Sequence, residues 1–558
     1  MADLAEKLPV AQDRDAWNLY VFRKSREALP LHDLAKVLEA EIRGWSSGDG
    51  SILDALVRAG EIETGLADLG SPDANVAARI TDQLAASALG LARNPSHVLE
   101  LLAGITKSAT IPCSHPEGFS YYGLNPLDFA DLVGEIKNHL APRAAIVGIR
   151  SVGSTLGAMV AAALHRAGKS ASRTTVRPEG EPYRRRASFD ALQLAWITFE
   201  LQAGAEFLVV DEGPGFSGST FLSIACALER AGVPAARIAL MCSRPFVPRA
   251  GQNGQAQEWG RFRSHVIHYG CNVPAEAGRS LGGGCWRALL YASRSQWPAS
   301  WHELERIKHL SQDGQSLFKF EGFGRFGRMA RTQASLLGQA GFSPRLQGLE
   351  NGYGRYDFLR ARPLDGTGLH QDLLNRMACY CAFRAANFPA RTSNPGLLRA
   401  MAQANLRLQF GLDQPMIEPP VERPVYADCR MHPHEWIQTS SGAVLKTDAT
   451  GHGDAHLLPG PVDIAWDLAG LIIEWELADE ESSVLLREYS RLSGDDAKTR
   501  IGSYIFLYSV LRMAFCRMGA ASLGSSEDGQ KLRAAHRKYA RKVSSLLHSH
   551  IPACILRN

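Results

Sequence analysis

The stretch FLVVDEGPGFSGST, residues 207–220, decides the fold. Four apolar residues, Phe207 to Val210, end in the acid pair Asp211-Glu212. A glycine-rich spacer then leads to Ser217-Gly218-Ser219-Thr220, where the helical pattern STFLSIACALERAG begins. A short apolar run followed by such a turn reads as a strand of a parallel sheet buried on both faces. Ligands of parallel sheets lie beyond the carboxyl ends of the strands, where a helix N-terminus offers free backbone N–H groups. The hydroxyls of Ser217, Ser219 and Thr220 add donors for a phosphate, and Asp211 and Glu212 could accept from sugar hydroxyls or hold Mg²⁺. Taken alone, the acids also fit a strand end beside an ordinary helix cap.

The same texture extends on both sides. AAIVGI (144–149) precedes Arg150-Ser151-Val152-Gly153-Ser154 and a helical run, and RIALMCS (237–243) follows the helix after Thr220. Alternation of this kind from Arg143 to about residue 269 predicts βαβ units and an α/β domain. Upstream, Leu31, Leu34, Val37 and Leu38, then Ile52, Leu53, Leu56 and Val57, have helical spacing and predict a helical cap.

VVDEGPGFSGST resembles the PRPP-binding signature of type I phosphoribosyltransferases. The resemblance implies that Arg150, Ser151, Val152, Gly153 and Ser154 form the pyrophosphate loop, and that Ser217, Gly218, Ser219 and Thr220 also bind PRPP. It also implies that SRTTVRPEGEPYRRRASF (172–189), with Arg173, Arg177, Arg184, Arg185 and Arg186, is the flexible loop that closes over pyrophosphate. Asp211 and Glu212 would orient the ribose and hold Mg²⁺, Arg177 would bind PRPP, and Arg184 and Arg185 would stabilise the leaving group. The acceptor site would be built by a hood that includes Tyr121 and Tyr122. The spacer is one residue longer than in the family pattern. Phe216 stands where 6-oxopurine enzymes carry an aspartate, which argues against a hypoxanthine or guanine acceptor.

Beyond Trp301 the texture changes. SLFKFEGFGRFGRMARTQASLLGQAGFSP places Lys319 on an apparent strand before Gly322, Gly324 and a helix, GYGRYDFLRARPL (352–364) reads as a hinge, and residues 425–470 cluster acids and histidines. This order resembles the small-molecule kinase fold of aminoglycoside and choline kinases. In the favoured register Asp428 is the catalytic acid, Glu435 and Asp448 hold metal, Lys319, Gly322 and Gly324 bind ATP, and Asp467-Leu468-Ala469 is the structural DLA. In the competing register the catalytic motif is His452-Gly453-Asp454. The expected asparagine is missing from both, and Gln333 replaces the glutamate that would pair with Lys319. His452 and His456 have HxxxH spacing, but Pro459 and Gly460 argue against the helix a zinc pair needs.

Composition sets the frame. A length of 558 residues predicts roughly three or four domains at about 150 residues each. A hydrophobic fraction of 45% and a formal charge of only +4 exclude wholesale disorder and a polyanion-binding surface spread over the chain. The ten cysteines show no CxxC spacing and read as reduced, buried thiols. With neither a signal-like start nor a membrane-spanning run, a cytoplasmic location is expected.

The expected architecture is a helical cap over 1–135, an α/β phosphoribosyltransferase-like domain with a parallel sheet over 136–295, and a two-lobed α+β kinase-like domain over 300–558. The expected function is phosphoribosyl transfer from PRPP, with Mg, to a nucleobase-like acceptor, coupled to a kinase-like half using ATP. The opposing reading is a PRPP- or nucleotide-sensing regulator that acts through protein partners. Expected partners are small phosphorylated molecules and a second copy in a homodimer, with neither nucleic acid nor membrane.

Overall fold

Strand alternation builds the centre of the molecule. The computed structural model describes residues 16, 19–22, 26–180, 184–215, 217–248, 253–268, 270, 273–413, 415–451 and 457–548. After the antiparallel pair β1 (Glu27–Pro30) and β2 (Thr110–Cys113) come β3 (Arg143–Ile149), β4 (Ser170–Val176), β5 (Glu206–Val210), β6 (Ile238–Cys242) and β7 (Arg263–Val266). The last five form one parallel sheet in the order β4-β3-β5-β6-β7, with Val147 facing Thr174 on one side and Val209 on the other. Along β3, Ala144 and Ile146 enter one buried cluster while Ala145, Val147 and Ile149 enter another. The two-residue period thus places an apolar core on each face, as a doubly covered sheet requires.

One face is covered by the cap. Its helices are α1 (Leu31–Ser47), α2 (Ile52–Asp68), α3 (Ala74–Ala88) and α4 (Pro95–Ala103); they are followed by the short α5 (Glu117–Ser120), α6 (Pro126–Ile136) and α7 (Val152–Arg166). Helix α2 lies against α7 because Gly60 has no side chain: a Cβ there would stand 1.9 Å from Thr155 Oγ1. The opposite face is covered by α8 (Ala191–Gln202) and α9 (Ser219–Arg230), whose Ile197, Phe221 and Ile224 are buried against Phe207 and Leu240. Helix α6 begins in the expected cap and ends past its boundary at 135, and its Phe129 and Val133 share a core with Ile146 and Leu156.

A second, antiparallel sheet follows in the order β11-β12-β10-β9-β8, made of β8 (Ala277–Ser280), β9 (Lys308–Ser311), β10 (Ser316–Phe320), β11 (Leu346–Glu350) and β12 (Tyr353–Asp357). Its edge strand starts well before the boundary expected at 300. The helix Gly324–Gln339 leaves the end of β10, and the chain past Asp357 enters a second lobe dominated by helices, including Gln371–Asn387, Ile501–Leu523 and Glu527–His548. Ile501–Leu523 is buried on almost every side, as the central helix of a bundle must be. Leu19, Val21 and Phe22 belong to this second lobe's core rather than to the cap, and the Tyr20 backbone exchanges two 2.8 Å hydrogen bonds with the Asn405 amide.

The described cysteines are free, and Cys113, Cys242, Cys381, Cys429 and Cys516 are buried, whereas Cys285 is exposed. Among the described residues no helix is long and apolar enough to cross a membrane.

Candidate functional site

Neighbouring strands β3 and β5 deliver their carboxyl ends to one place. The turn after β3 carries Arg150, Ser151 and Val152, and the turn after β5 carries Asp211 and Glu212; together with His115, Glu117 and Arg177 they line a cavity of about 220 Å³. The approach of the two turns depends on Gly153, where a Cβ would stand 2.4 Å from the Val210 carbonyl oxygen and 3.5 Å from Asp211 Oδ1. Burial pushes the Asp211 carboxyl up to about 7, against hydrogen bonds from the backbone and the charge of Arg177. Burial, then Glu117 and Asp211, push Glu212 up to about 8. Glu212 is also tied to the cap region, since Gly118 N–H donates to its Oε2 at 2.8 Å.

A larger cavity of about 1200 Å³ adjoins the first, sharing Arg150 and Arg177 and adding Arg184, Arg185, Arg186 and Ser219. The expected phosphate contacts are only partly gathered here. Ser219 at the start of α9 lines this cavity, but Ser217 Oγ donates to Ser219 Oγ at 2.9 Å and accepts from Ser219 N–H, so part of their bonding closes the turn itself. Gly218, at φ +67°, lies beneath the rings of Phe246 and Trp259. Thr220 continues the helix, and its carbonyl accepts from Ser223. Ser154 is fully buried and bonded to Thr64 of α2 at 2.8 Å, so its hydroxyl docks the cap instead of facing a ligand. Phe216 lies outside the described residues.

The arginine loop divides into two functions. Arg173 is not in a loop: it sits on β4, its side chain 6% exposed, with Glu63 at 2.6 Å and Asp82 at 2.5 Å, and clamps the sheet to α2 and α3. Strand pairing places alternate side chains of β4 under the cap, and the sequence pattern SRTTV did not reveal that placement. Arg184 and Arg185 stay on the cavity wall, and the Glu179 and Arg186 backbones pair to form a hairpin. Asp68, at the end of α2, was not legible as a site residue. Its buried carboxylate pairs with Arg150 at 3.2 Å, Arg177 at 2.7 Å and Arg26 at 3.3 Å, and it lines the larger cavity.

Asp211 and Glu212 fit a magnesium ion shared with a ligand. Two carboxylates lifted by burial and by neighbouring acids gain from a cation, and Mg²⁺ completes its shell with waters and substrate phosphates. Such an ion would supply charge neutralisation of a phosphorylated ligand at these two side chains.

The second constellation lies between the antiparallel sheet and the helical lobe, in a cleft of about 370 Å³ lined by Lys308, Lys319, Glu435, Lys446 and Asp448 among others. Lys319 Nζ contacts Asp448 at 3.1 Å, Glu321 at 3.4 Å and the Gly451 carbonyl at 2.9 Å. Glu321, just past the end of β10, is a second carboxylate beside Lys319, while Gln333 is buried in the following helix. Lys308 holds the other Asp448 oxygen at 2.6 Å. Lys446, fully buried, lies 3.0 Å from Glu435 and 3.4 Å from Asp428. Burial pulls the Lys446 ammonium down, but Asp428 and Glu435 outweigh it and hold its pKa above the usual lysine range.

The side chain of Asp428 is buried, accepting from the Tyr380 hydroxyl and facing Arg384 at 3.8 Å. Asp467 accepts the Asp428 and Cys429 backbone N–H groups at 2.9 and 2.8 Å, so the DLA aspartate braces the Asp428 turn. The acids expected to hold metal here do not fit it, because each is paired with a lysine ammonium. Gly322 and Gly324, expected to bind ATP, do not line this cleft. A Cβ on Gly322 would stand 3.1 Å from the Ser120 carbonyl, and Gly324 N–H donates to Asp54 of α2 at 2.7 Å. Their left-handed backbone turns the chain from β10 into its helix against the cap. His452, Gly453, Asp454 and His456 lie outside the described residues. Lys308, Glu321 and Lys446 escaped sequence reasoning; the signal for Glu321 was its place two residues after Lys319, just past the strand end.

No family model and no curated protein matches the sequence. Among solved structures, the chain is similar to the choline kinase LicA of Streptococcus pneumoniae, at 14% identity over 43% of this chain and 90% of that one, with a TM-score of 0.31. It is also similar to a choline/ethanolamine kinase family protein of Mesorhizobium loti, at 14% identity over 48% and 94%, TM-score 0.31. A spectinomycin phosphotransferase solved with ADP and spectinomycin is similar at 12% identity over 44% and 90%, TM-score 0.30. Likeness at this level assigns no activity, and the reading of the cleft rests on its own residues.

Proposed function

We propose that the parallel-sheet unit transfers phosphoribose from PRPP to a nucleobase-like acceptor, and that the two-lobed unit is a kinase-like nucleotide cleft. The observation that carries the first part is the shared cavity in which the Arg150 turn faces the Asp211-Glu212 pair from adjacent strand ends. In the transfer, the bond between the anomeric carbon and the pyrophosphate oxygen breaks, the acceptor nitrogen bonds to that carbon, and the proton it loses passes to solvent or to the departing pyrophosphate. Positive charge develops on the ribose ring and negative charge on the departing pyrophosphate. Asp211 and Glu212 would orient the sugar hydroxyls. Arg150, Arg177, Arg184 and Arg185, on the walls of the adjoining cavities, would stabilise the leaving group. Losing one preorganised donor of this kind costs on the order of 3 kcal/mol of barrier.

The second reading is a sensor that binds PRPP or a nucleotide without turnover. It is favoured by the pairing of Asp428, Glu435 and Asp448 with lysines, which leaves the kinase-like half poorly equipped for phosphoryl transfer. Pyrophosphate release with PRPP and a panel of nucleobases, in wild type and in Arg184→Ala/Arg185→Ala, separates the two. Release that falls at least about a hundredfold in the double variant supports the enzyme. Tight PRPP binding without release from any acceptor, indifferent to the arginines, sinks it and leaves the sensor.

A further inference from the structure

We propose that the interlobe cleft binds a nucleoside phosphate without a divalent cation, with Lys308, Lys319 and Lys446 already occupying the carboxylates Glu435 and Asp448 that were expected to hold a metal. The proposal rests on the kinase-like reading of this cleft and changes what that reading implies for its ligand. In a metal-dependent cleft, unpaired carboxylates wait for a cation that arrives with the phosphates. Here Asp448 is held by Lys308 at 2.6 Å and Lys319 at 3.1 Å, and Glu435 by Lys446 at 3.0 Å. An ion entering among these carboxylates would have to expel ammonium groups or sit beside them.

Expulsion is unfavourable because Lys446 has no exposed surface, and its ammonium also donates to the Thr447 carbonyl at 2.9 Å. Driven from Glu435, it would be a fully buried charge left with Asp428 at 3.4 Å as its remaining carboxylate. Coexistence is also unfavourable, since a double positive charge would stand within a few ångströms of three single ones. The lysines instead bring the positive charge that phosphates need. Each ammonium carries three donors, and Lys308 and Lys319 line the cleft next to Arg306. The apolar side of the cleft, with Leu281, Leu317 and Phe358, suits a base.

The proposal is tested by titrating the full chain calorimetrically with ATP, in EDTA and in excess Mg²⁺. The expected result is binding in both, with dissociation constants within about threefold of one another, and a loss of about tenfold or more in EDTA for Lys308→Met. Binding in Mg²⁺ that disappears in EDTA overturns metal independence and leaves the kinase-like reading standing. Absence of binding in both conditions overturns both. The wild-type comparison needs no variant to fold, so it decides between these outcomes even where Lys308→Met folds poorly.

Discussion

Arg177, just past the end of β4, and Asp68 of the cap form an ion pair at 2.7 Å, and the same carboxylate holds Arg150 at 3.2 Å. The two arginines that face the strand-end cavity are therefore already bonded to an anion belonging to the chain. An incoming pyrophosphate has to share or displace Asp68.

Asp68→Asn should therefore separate stability from affinity. Removing one member of a buried ionic cluster costs on the order of 3 kcal/mol, which urea denaturation would register. The freed arginines should bind pyrophosphate about tenfold more tightly, equivalent to about 1.4 kcal/mol, in isothermal titration. Weaker pyrophosphate binding in a folded variant would show that Asp68 positions the arginines instead of competing for them.

Asp211 and Glu212 predict how stability depends on pH. Their folded pKa values, about 7 and about 8, lie above the unfolded carboxylate range, so the folded state binds the extra protons between roughly pH 4 and pH 8. Their contribution is fully present at low pH and is lost as pH rises through 7 and 8. Denaturation series from pH 5 to 9 should show this decline, flattened in Asp211→Asn/Glu212→Gln. Mg²⁺ should bind more tightly toward pH 8, because it competes with those protons.

Arg173→Leu tests the correction to the arginine loop. The side chain clamps Glu63 and Asp82 and touches neither described cavity, so its loss should cost about 3–5 kcal/mol in stability through the stranded Glu63. Arg184→Ala, on the cavity wall, should change stability by less than about 0.5 kcal/mol while weakening PRPP binding. Thermal melts and PRPP titration of the two variants should give opposite orders of severity.

Gly153→Ala should deform the site through its backbone. The added methyl would meet the Val210 carbonyl at 2.4 Å and the Gly148 carbonyl carbon at 3.2 Å, neither of which can rotate away. Overpacking of this kind costs about 1–3 kcal/mol, and the loss of PRPP binding should exceed what the drop in melting temperature explains.

Much of the parallel-sheet unit is legible in local pattern. Apolar runs of strand length, each followed by a helix of ten or more residues, dictate parallel strands, and the residues at the strand ends must then share one edge. That reasoning by itself brings Arg150 toward Asp211. It fails for Arg173 and Ser154, because nothing local says that a helical layer covers them. It also fails for Gly322 and Gly324, whose left-handed turns fit a nucleotide loop or a tight turn against a neighbour equally well.

The sequence by itself determined the alternation of strands and helices, the acid pair beyond Val210 and the lysine strand of the second sheet, because these depend on residues close along the chain. Only the tertiary structure decided which charged groups pair. Asp68 meets Arg177 across 109 positions, and Lys308 meets Asp448 across 140. Whether a carboxylate awaits a metal or already has an ammonium depends on contacts a few ångströms long between segments that only the complete fold brings together.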